Sequence, residues 1–412
     1  MSHQEFYDDL EIRDPEVREK EQMAALSEQV AWAKAKAPYF SEILKDVDAA
    51  YITSLEALAT LPVTRKSDLI ERQAKETPFG GLNAEAVADI TWIHQSPGYI
   101  YEPGGNVSDY WRVARSFWAA GMRPGQIVHN TFSYHLTPAG MIMEAGARAI
   151  GCPVFPGGTG NTEQQIAAMM HLKPQAYAGT PSFLKILLDK AAEKGIEPSY
   201  KSASVGGEAL LPPVRQAIID HGVTVLQGYA TAELGSIAYE SKAMEGMIIE
   251  ENALVEIVRP GSGEVLPDGE VGEVVVTIIN KTYPLTRFAT GDLSAILPGQ
   301  SPCGRTNKRI KGWMGRADQT TKIKGMFVHP AQVNQTIARH PEIRKGRLVV
   351  ANVDGKDIMT LQCEVDGAPE GLTDAIAASL QSVSKLSGHV EIVAPGSLAN
   401  DGKVIDDVRS YE

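Results

Sequence analysis

Between residues 90 and 230, short apolar stretches at 126–131, 176–178 and 223–227 alternate with helical segments at 107–120, 162–171 and 182–194. A strand that must return parallel to its predecessor needs a long crossover, usually helical, so this alternation confines the region to a parallel sheet covered by helices. Between 248 and 298 the texture changes to β-branched runs at 254–258, 272–278 and 293–297. These are broken by Pro260-Gly261-Ser262-Gly263 and Pro267-Asp268-Gly269, and they predict an antiparallel sheet or distorted barrel. Upstream, 15–37 reads as a surface helix, and 54–58 and 66–70 as short helices either side of Leu61-Pro62. The tail predicts a small α+β unit, with helices at 330–339 and 372–386 and strands at 347–352, 359–365 and 389–393. The expected fold class is therefore α/β: a large domain over 1–317, containing a β-rich subdomain at about 248–298, and a small α+β domain over 318–412.

Charge narrows the partners. With 39 basic and 51 acidic residues the chain carries a net −12, and its field repels polyanions, which argues against nucleic acid. Cys152, Cys303 and Cys363 are odd in number and widely spaced, so neither a disulfide framework nor a zinc cage is indicated. The N-terminal stretch is charged where a signal peptide needs an apolar core, and no run reaches the length of a membrane span. A cytoplasmic protein without a membrane partner is expected, and a homodimer stays open.

Several catalytic motifs are absent: a Walker loop, a dinucleotide fingerprint after a strand, a G-x-S-x-G elbow and H-E-x-x-H. What remains is a series of short loops at predicted strand ends, where open α/β sheets collect ligands. They are His94-Gln95-Ser96-Pro97-Gly98-Tyr99, Gly157-Gly158-Thr159-Gly160-Asn161-Thr162-Glu163, Gly206-Gly207-Glu208, Gly228-Tyr229-Ala230-Thr231-Ala232-Glu233, Thr290-Gly291-Asp292 and Gly315-Arg316-Ala317-Asp318. Singly, each is compatible with a tight turn. In this order they resemble the adenylate-forming superfamily of acyl-CoA synthetases, adenylation domains and luciferases, and most closely its phenylacetate-CoA ligase branch. Gly179-Thr180-Pro181-Ser182, Pro284-Leu285-Thr286-Arg287-Phe288, Cys303-Gly304-Arg305-Thr306, Lys322-Ile323-Lys324-Gly325 and Gly396-Ser397-Leu398 with Asp401-Gly402-Lys403 extend the resemblance over nearly the whole chain.

The resemblance implies a reaction in two steps, in which a carboxylic acid attacks the α-phosphorus of ATP to give acyl-AMP and a thiol, usually that of CoA, then displaces AMP. It implies that Asp292 holds the ribose hydroxyls, that Tyr229 packs on the adenine beside Ala230 and Thr231, and that Gly206, Gly207 and Glu208 form the opposite wall. Glu233 would hold Mg²⁺, a hard cation suited to oxygen ligands. Arg316 would sit on the ribose side, Asp318 at a hinge on which the small domain swings as a lid, and Lys403 would be the mobile catalytic lysine. His94, just before the phosphate loop, joins Lys403 and Glu233 in the catalytic set. By position, Tyr134, His135, Gly140, Phe155 and Gly158, with Pro156, would line the acyl pocket and suggest a flat aryl or short acyl group. Phe155 and Gly158 also read equally well as core and turn.

Two departures stand out. The loop that binds the β- and γ-phosphates normally reads Ser-Ser-Gly-Thr-Thr-Gly-Lys-Pro; here Ser96, Gly98 and Pro103 persist, whereas both threonines are Tyr99 and Ile100 and the lysine is Glu102. A triphosphate is highly anionic, so a lysine exchanged for a glutamate turns attraction into repulsion, each on the order of 4 kcal/mol before screening at about 4 Å and an effective dielectric near 20. Ala232 also stands where relatives have a hydroxyl before the magnesium-binding glutamate, and Ser301 where they often have a second cysteine, which disfavours a metal at Cys303. Three readings are open: a CoA ligase, an adenylating enzyme with another acceptor, and a divergent acyltransferase or nucleotide-binding homologue that no longer uses ATP.

Overall fold

The crossover region forms a nine-stranded sheet. Its strands Val154–Pro156, Val128–Asn130, Ala176–Gly179, Ser202–Val205 and Thr224–Thr231 run parallel in that spatial order. Gly235–Glu240, Met247–Ile249, Arg309–Ile310 and Ile296–Leu297 extend it with antiparallel pairings. Ala176–Gly179 and Ser202–Val205 are buried at every position, as strands covered on both faces must be. In the covering helix Pro181–Glu193, Leu184, Leu187, Leu188 and Ala191 recur at helical spacing and are buried. The computed structural model describes residues 5–96, 99–323, 326–353, 356–367, 369–399 and 403–409.

One expected helix is much shorter than its pattern. Of 107–120 only Ala114–Ala119 is helical, because Asp109 and Arg112 take left-handed backbone angles of +49° and +61°. The Asp109 carboxyl accepts from the Val113 and Ala114 backbone N–H groups at 2.8 and 3.0 Å, so it starts the helix late. The expected strand at 293–297 is likewise divided. Phe288–Ser294 joins a four-stranded sheet in the order Thr64–Arg65, Phe288–Ser294, Gly272–Ile278, Ala253–Val258, and Ile296–Leu297 turns into the large sheet.

The chain divides into two compact units, Met1–Thr290 with Ala295–Trp313, and Gly291–Ser294 with Met314–Glu412. The second has a four-stranded sheet in the order His389–Val393, Lys356–Val365, Ile343–Val353, Ile405–Asp407. Helices Pro330–Ile337 and Leu372–Ser384 accompany it, and Leu348, Val350, Leu361, Ile376 and Leu380 form its core. Among the described residues no helix is long and apolar enough to cross a membrane.

Candidate active site

The described residues of the altered phosphate loop belong to an antiparallel hairpin that the loop composition did not announce. Trp92–Ser96 pairs with Ile100–Gly104, with His94 opposite Glu102, and Tyr99 at φ +60° takes part in the turn. Gly98 lies outside the described residues. The pleat turns Glu102 inward: it is 1% exposed, and the Ser96 hydroxyl donates to its Oε1 at 2.5 Å. Its Oε2 has no hydrogen-bond partner among the described residues. Burial, and then the charge of Glu233, pushes the Glu102 carboxyl up to about 8, against smaller opposing effects of Ser96 and Lys66. Near neutral pH the group is therefore mostly an uncharged acid, which weakens the expected repulsion of a triphosphate. His94 is buried between Trp92 and Trp111, and burial depresses its basicity, partly offset by the Leu136 backbone.

A cavity of about 550 Å³ opens where the central parallel strands end. Gly206, Gly207, Tyr229, Ala230 and Thr231 line it, together with Ser96 and Lys66. The glycine wall has a steric reason: a Cβ on Gly206 would come within 3.1 Å of the Gly228 carbonyl, and Gly207 has φ +79°. The Tyr229 hydroxyl donates to Thr290 Oγ1 at 3.2 Å, and Thr290 donates in turn to the Val274 carbonyl at 3.0 Å. Thr231 Oγ1 accepts from the Leu234 N–H at 3.2 Å.

Beside this wall Glu233 is buried, and Lys66 Nζ lies 2.6 Å from its Oε1. The separation makes an ion pair, but the angles do not make a hydrogen bond, and neither Glu233 oxygen has a hydrogen-bond partner among the described residues. Lys66 opens the 3₁₀ turn Lys66–Asp68 and lines the cavity, which its reading as the start of a short helix did not signal. Glu208 does not line the cavity; its Oε1 accepts from the Ser182 N–H at 2.7 Å, at the start of helix Pro181–Glu193.

The residues expected around the acyl group lie apart from this cavity's lining. Tyr134, His135, Gly140, Phe155 and Gly158 are absent from the cavity lining. Tyr134, Gly140 and Gly158 gather instead around Asn130, whose Nδ2 donates to the Tyr134 hydroxyl and the Gly140 carbonyl, both at 2.8 Å. The Gly158 N–H donates to the Asn130 carbonyl at 3.1 Å, and the Phe155 ring packs 5.1 Å from His129. Val113, Ser116, Phe132, Ile142, Met143 and Ser204 line the cavity in their place. The one signal that could have found part of this set is the spacing of Ala139, Ile142 and Met143 on one face of helix Ala139–Ala149.

In the second unit, Asp292 and Arg316 form a backbone bridge, and Arg316 Nη1 donates to Asp292 Oδ1 at 3.1 Å. A Cβ on Gly291 would come within 2.6 Å of Arg316 Nη2, so glycine leaves room for that guanidinium. The backbone of Asp318 belongs to the 3₁₀ turn Ala317–Gln319. Lys403 Nζ donates to Asp406 Oδ1 at 2.8 Å and is half exposed; the neighbouring Asp401 and Gly402 lie outside the described residues.

Residues 108–279 match the family described as AMP-binding enzyme. The phenylacetate-coenzyme A ligase of Aromatoleum evansii is 32% identical over 402 residues, 91% of this chain and 90% of that protein. That of Thermus thermophilus is 31% identical over 372 residues, 84% of this chain and 82% of its own length. Among solved structures, an open conformation of 2-hydroxyisobutyryl-CoA ligase in complex with 2-HIB-AMP and CoA shares the fold, with a TM-score of 0.83 over 98% of this chain and 99% of that one at 24% identity. By its strand-end loops, its cavity and this degree of likeness over most of its length, the chain belongs to the phenylacetate-CoA ligase family of AMP-binding enzymes.

Proposed function

We propose that the chain is an acid–thiol ligase that activates a small carboxylic acid with ATP and passes the acyl group to CoA. The observation that carries this is the cavity between the Gly206-Gly207 wall and the Gly228–Thr231 segment, in a chain of this family. In the first step the acid's carboxylate attacks the α-phosphorus and pyrophosphate leaves; in the second the CoA sulfur attacks the acyl carbon and AMP leaves. Tyr229 and the glycine wall hold the adenine, and Asp292 with Arg316 hold the ribose. Lys403 neutralises charge at the α-phosphate during activation.

Lys66 supplies the cation that the altered loop lacks, at the end of the cavity where the phosphates lie. The partner-free Oε2 of Glu233 fits one position of a magnesium ion that takes its remaining ligands from phosphate and water. That ion would supply positive charge to the phosphates. The reading without ATP loses its electrostatic ground, because at pH 7 a group with pKa about 8 is protonated in roughly nine molecules of ten.

The test is pyrophosphate release across a panel of aryl and short-chain acids, with the CoA product identified by mass. Acid-dependent pyrophosphate and a thioester of the added acid are expected. Pyrophosphate with no thioester overturns CoA as the acceptor, and inertness toward every acid overturns the activity.

A further inference from the structure

The cavity has an inner end that the ligase reading leaves unexplained. Strand C-termini form its mouth, and Ser204 and Gly228 lie before the ends of Ser202–Val205 and Thr224–Thr231, hence deeper in the sheet. Around this inner end Val113, Ile142 and Val205 are apolar and buried, as the seat of a ring requires. Yet two hydroxyl-bearing residues of the lining meet here from separate elements, Ser116 on helix Ala114–Ala119 and Ser204 on its strand. Their exposures are 6% and 5%. The hydroxyls of Ser116 and Ser204 are 3.5 Å apart, a contact at the outer limit of a hydrogen bond, and the described residues give neither another partner.

Gly228 is what leaves them accessible. A Cβ there would stand 3.4 Å from Ser116 Oγ, so a larger side chain would cover that hydroxyl from the cavity. Each serine hydroxyl has one donor and two lone pairs. An unsubstituted ring would strip water from them and return nothing, whereas a hydroxyl on the ring would bridge both. Resting on the ligase reading above, we propose that the acid is a hydroxylated aryl acid, its hydroxyl received at the inner end of the cavity by Ser116 and Ser204, which set the enzyme's specificity.

The experiment compares phenylacetate with its 2-, 3- and 4-hydroxy isomers in two ways. One is kcat/KM for pyrophosphate release. The other is calorimetric binding of the corresponding acyl-sulfamoyl adenosines, stable mimics of the acyl-AMP that need no turnover. At least one hydroxylated isomer is expected to exceed phenylacetate by roughly 10- to 100-fold in both, because a site built around a substrate hydroxyl rejects the analogue without it. In Ser116→Ala and Ser204→Ala the advantage should shrink to about threefold or less while phenylacetate binding holds or improves, since the unpaired hydroxyl is gone. Equal or better use of phenylacetate by the wild-type chain overturns the inference and leaves the ligase reading standing. The wild-type comparison decides this even if a serine variant fails to fold. Retention of the full hydroxyl preference in both folded variants also overturns the assignment to these serines. Failure of every acyl-adenylate mimic to bind overturns the ligase reading itself.

Discussion

Glu11 and Glu102 are both 1% exposed, and their surroundings are opposite. The Glu11 carboxylate is satisfied on both oxygens: Oε1 accepts from Arg305 Nε at 2.5 Å and the Tyr239 hydroxyl at 2.9 Å, and Oε2 accepts from the Tyr7 N–H at 2.5 Å. Among the described residues Glu102 has one hydroxyl on one oxygen and nothing on the other. Glu233, beside it, has an ion pair at 2.6 Å and, among the described residues, no hydrogen bond. A buried carboxylate enclosed by donors is a clamp: here it fastens the N-terminal segment, which Thr306 also holds through the carbonyls of Glu11 and Arg13. Buried carboxyls left half-satisfied behind lining residues, as Glu102 is behind Ser96 and Glu233 behind Lys66, retain capacity for a ligand, and such groups are where binding and chemistry concentrate.

The sharpest way to break this contrast is to remove one partner on each side. Arg305→Ala leaves Glu11 buried with only neutral donors, and should cost about 3–5 kcal/mol of stability in chemical denaturation, while acyl-adenylate binding per folded molecule is unchanged. Lys66→Met leaves the buried Glu233 carboxylate without its cation, so it too should lose stability, and pyrophosphate release per folded molecule should in addition fall about 10²–10³-fold, as when a preorganised charge is lost from a transition state. Titration calorimetry should show ATP affinity falling well beyond AMP affinity. Equal losses for ATP and AMP would mean that Lys66 only props up Glu233.

The same contrast explains what could be read along the chain. Strand-end loops were legible because tight turns and close ligand approach demand glycine and hydroxyl residues locally, as at Gly206-Gly207 and Gly228–Thr231. The crossovers were legible because periodicity survives without knowledge of partners; 162–171 and 182–194 differ from the helices Thr162–Leu172 and Pro181–Glu193 only at their ends. The cavity lining was not, since Ser116, Phe132 and Ser204 meet only when a helix, a loop and a central strand pack together. Nor was the state of Glu102, because a formal charge says nothing about burial. Arg305 and Thr306 belong to a family signature, yet their contacts hold residues Glu11 and Arg13 rather than the cavity.

Glu102 sharpens the contrast through pH. Its folded pKa of about 8 lies above the ordinary carboxylate value of 4.5, so between these pH values the folded state holds a proton that the unfolded state has released. Stability therefore falls as pH rises through that window, by at most about 1.4 kcal/mol per pH unit from this group, and levels off above 8. Glu102→Gln keeps the shape without the ionisation and should give a flatter stability profile between pH 5 and 8. A profile parallel to the wild type would show that Glu102 is ionised in the folded protein.

Glu208 offers the smallest effect and tests the boundary between the two kinds of carboxylate. Its sequence neighbours place it in the adenine wall, but its Oε1 accepts from the Ser182 N–H, one of the donors that the start of a helix leaves without an internal partner. Thr180 occupies the adjoining capping position at 3.4 Å from the Phe183 N–H, so Glu208 shares that task rather than bearing it alone. Glu208→Ala should then cost about 0.5–1 kcal/mol in thermal unfolding, near the lower end for a lost cap. Glu208→Gln, which keeps an acceptor oxygen, should recover most of that loss, and AMP affinity should stay within about twofold in both, because neither change touches a residue that lines the cavity. A tenfold loss of AMP affinity in the alanine variant with stability intact would return Glu208 to the nucleotide wall. It would then join Glu233 among the carboxylates kept for a ligand.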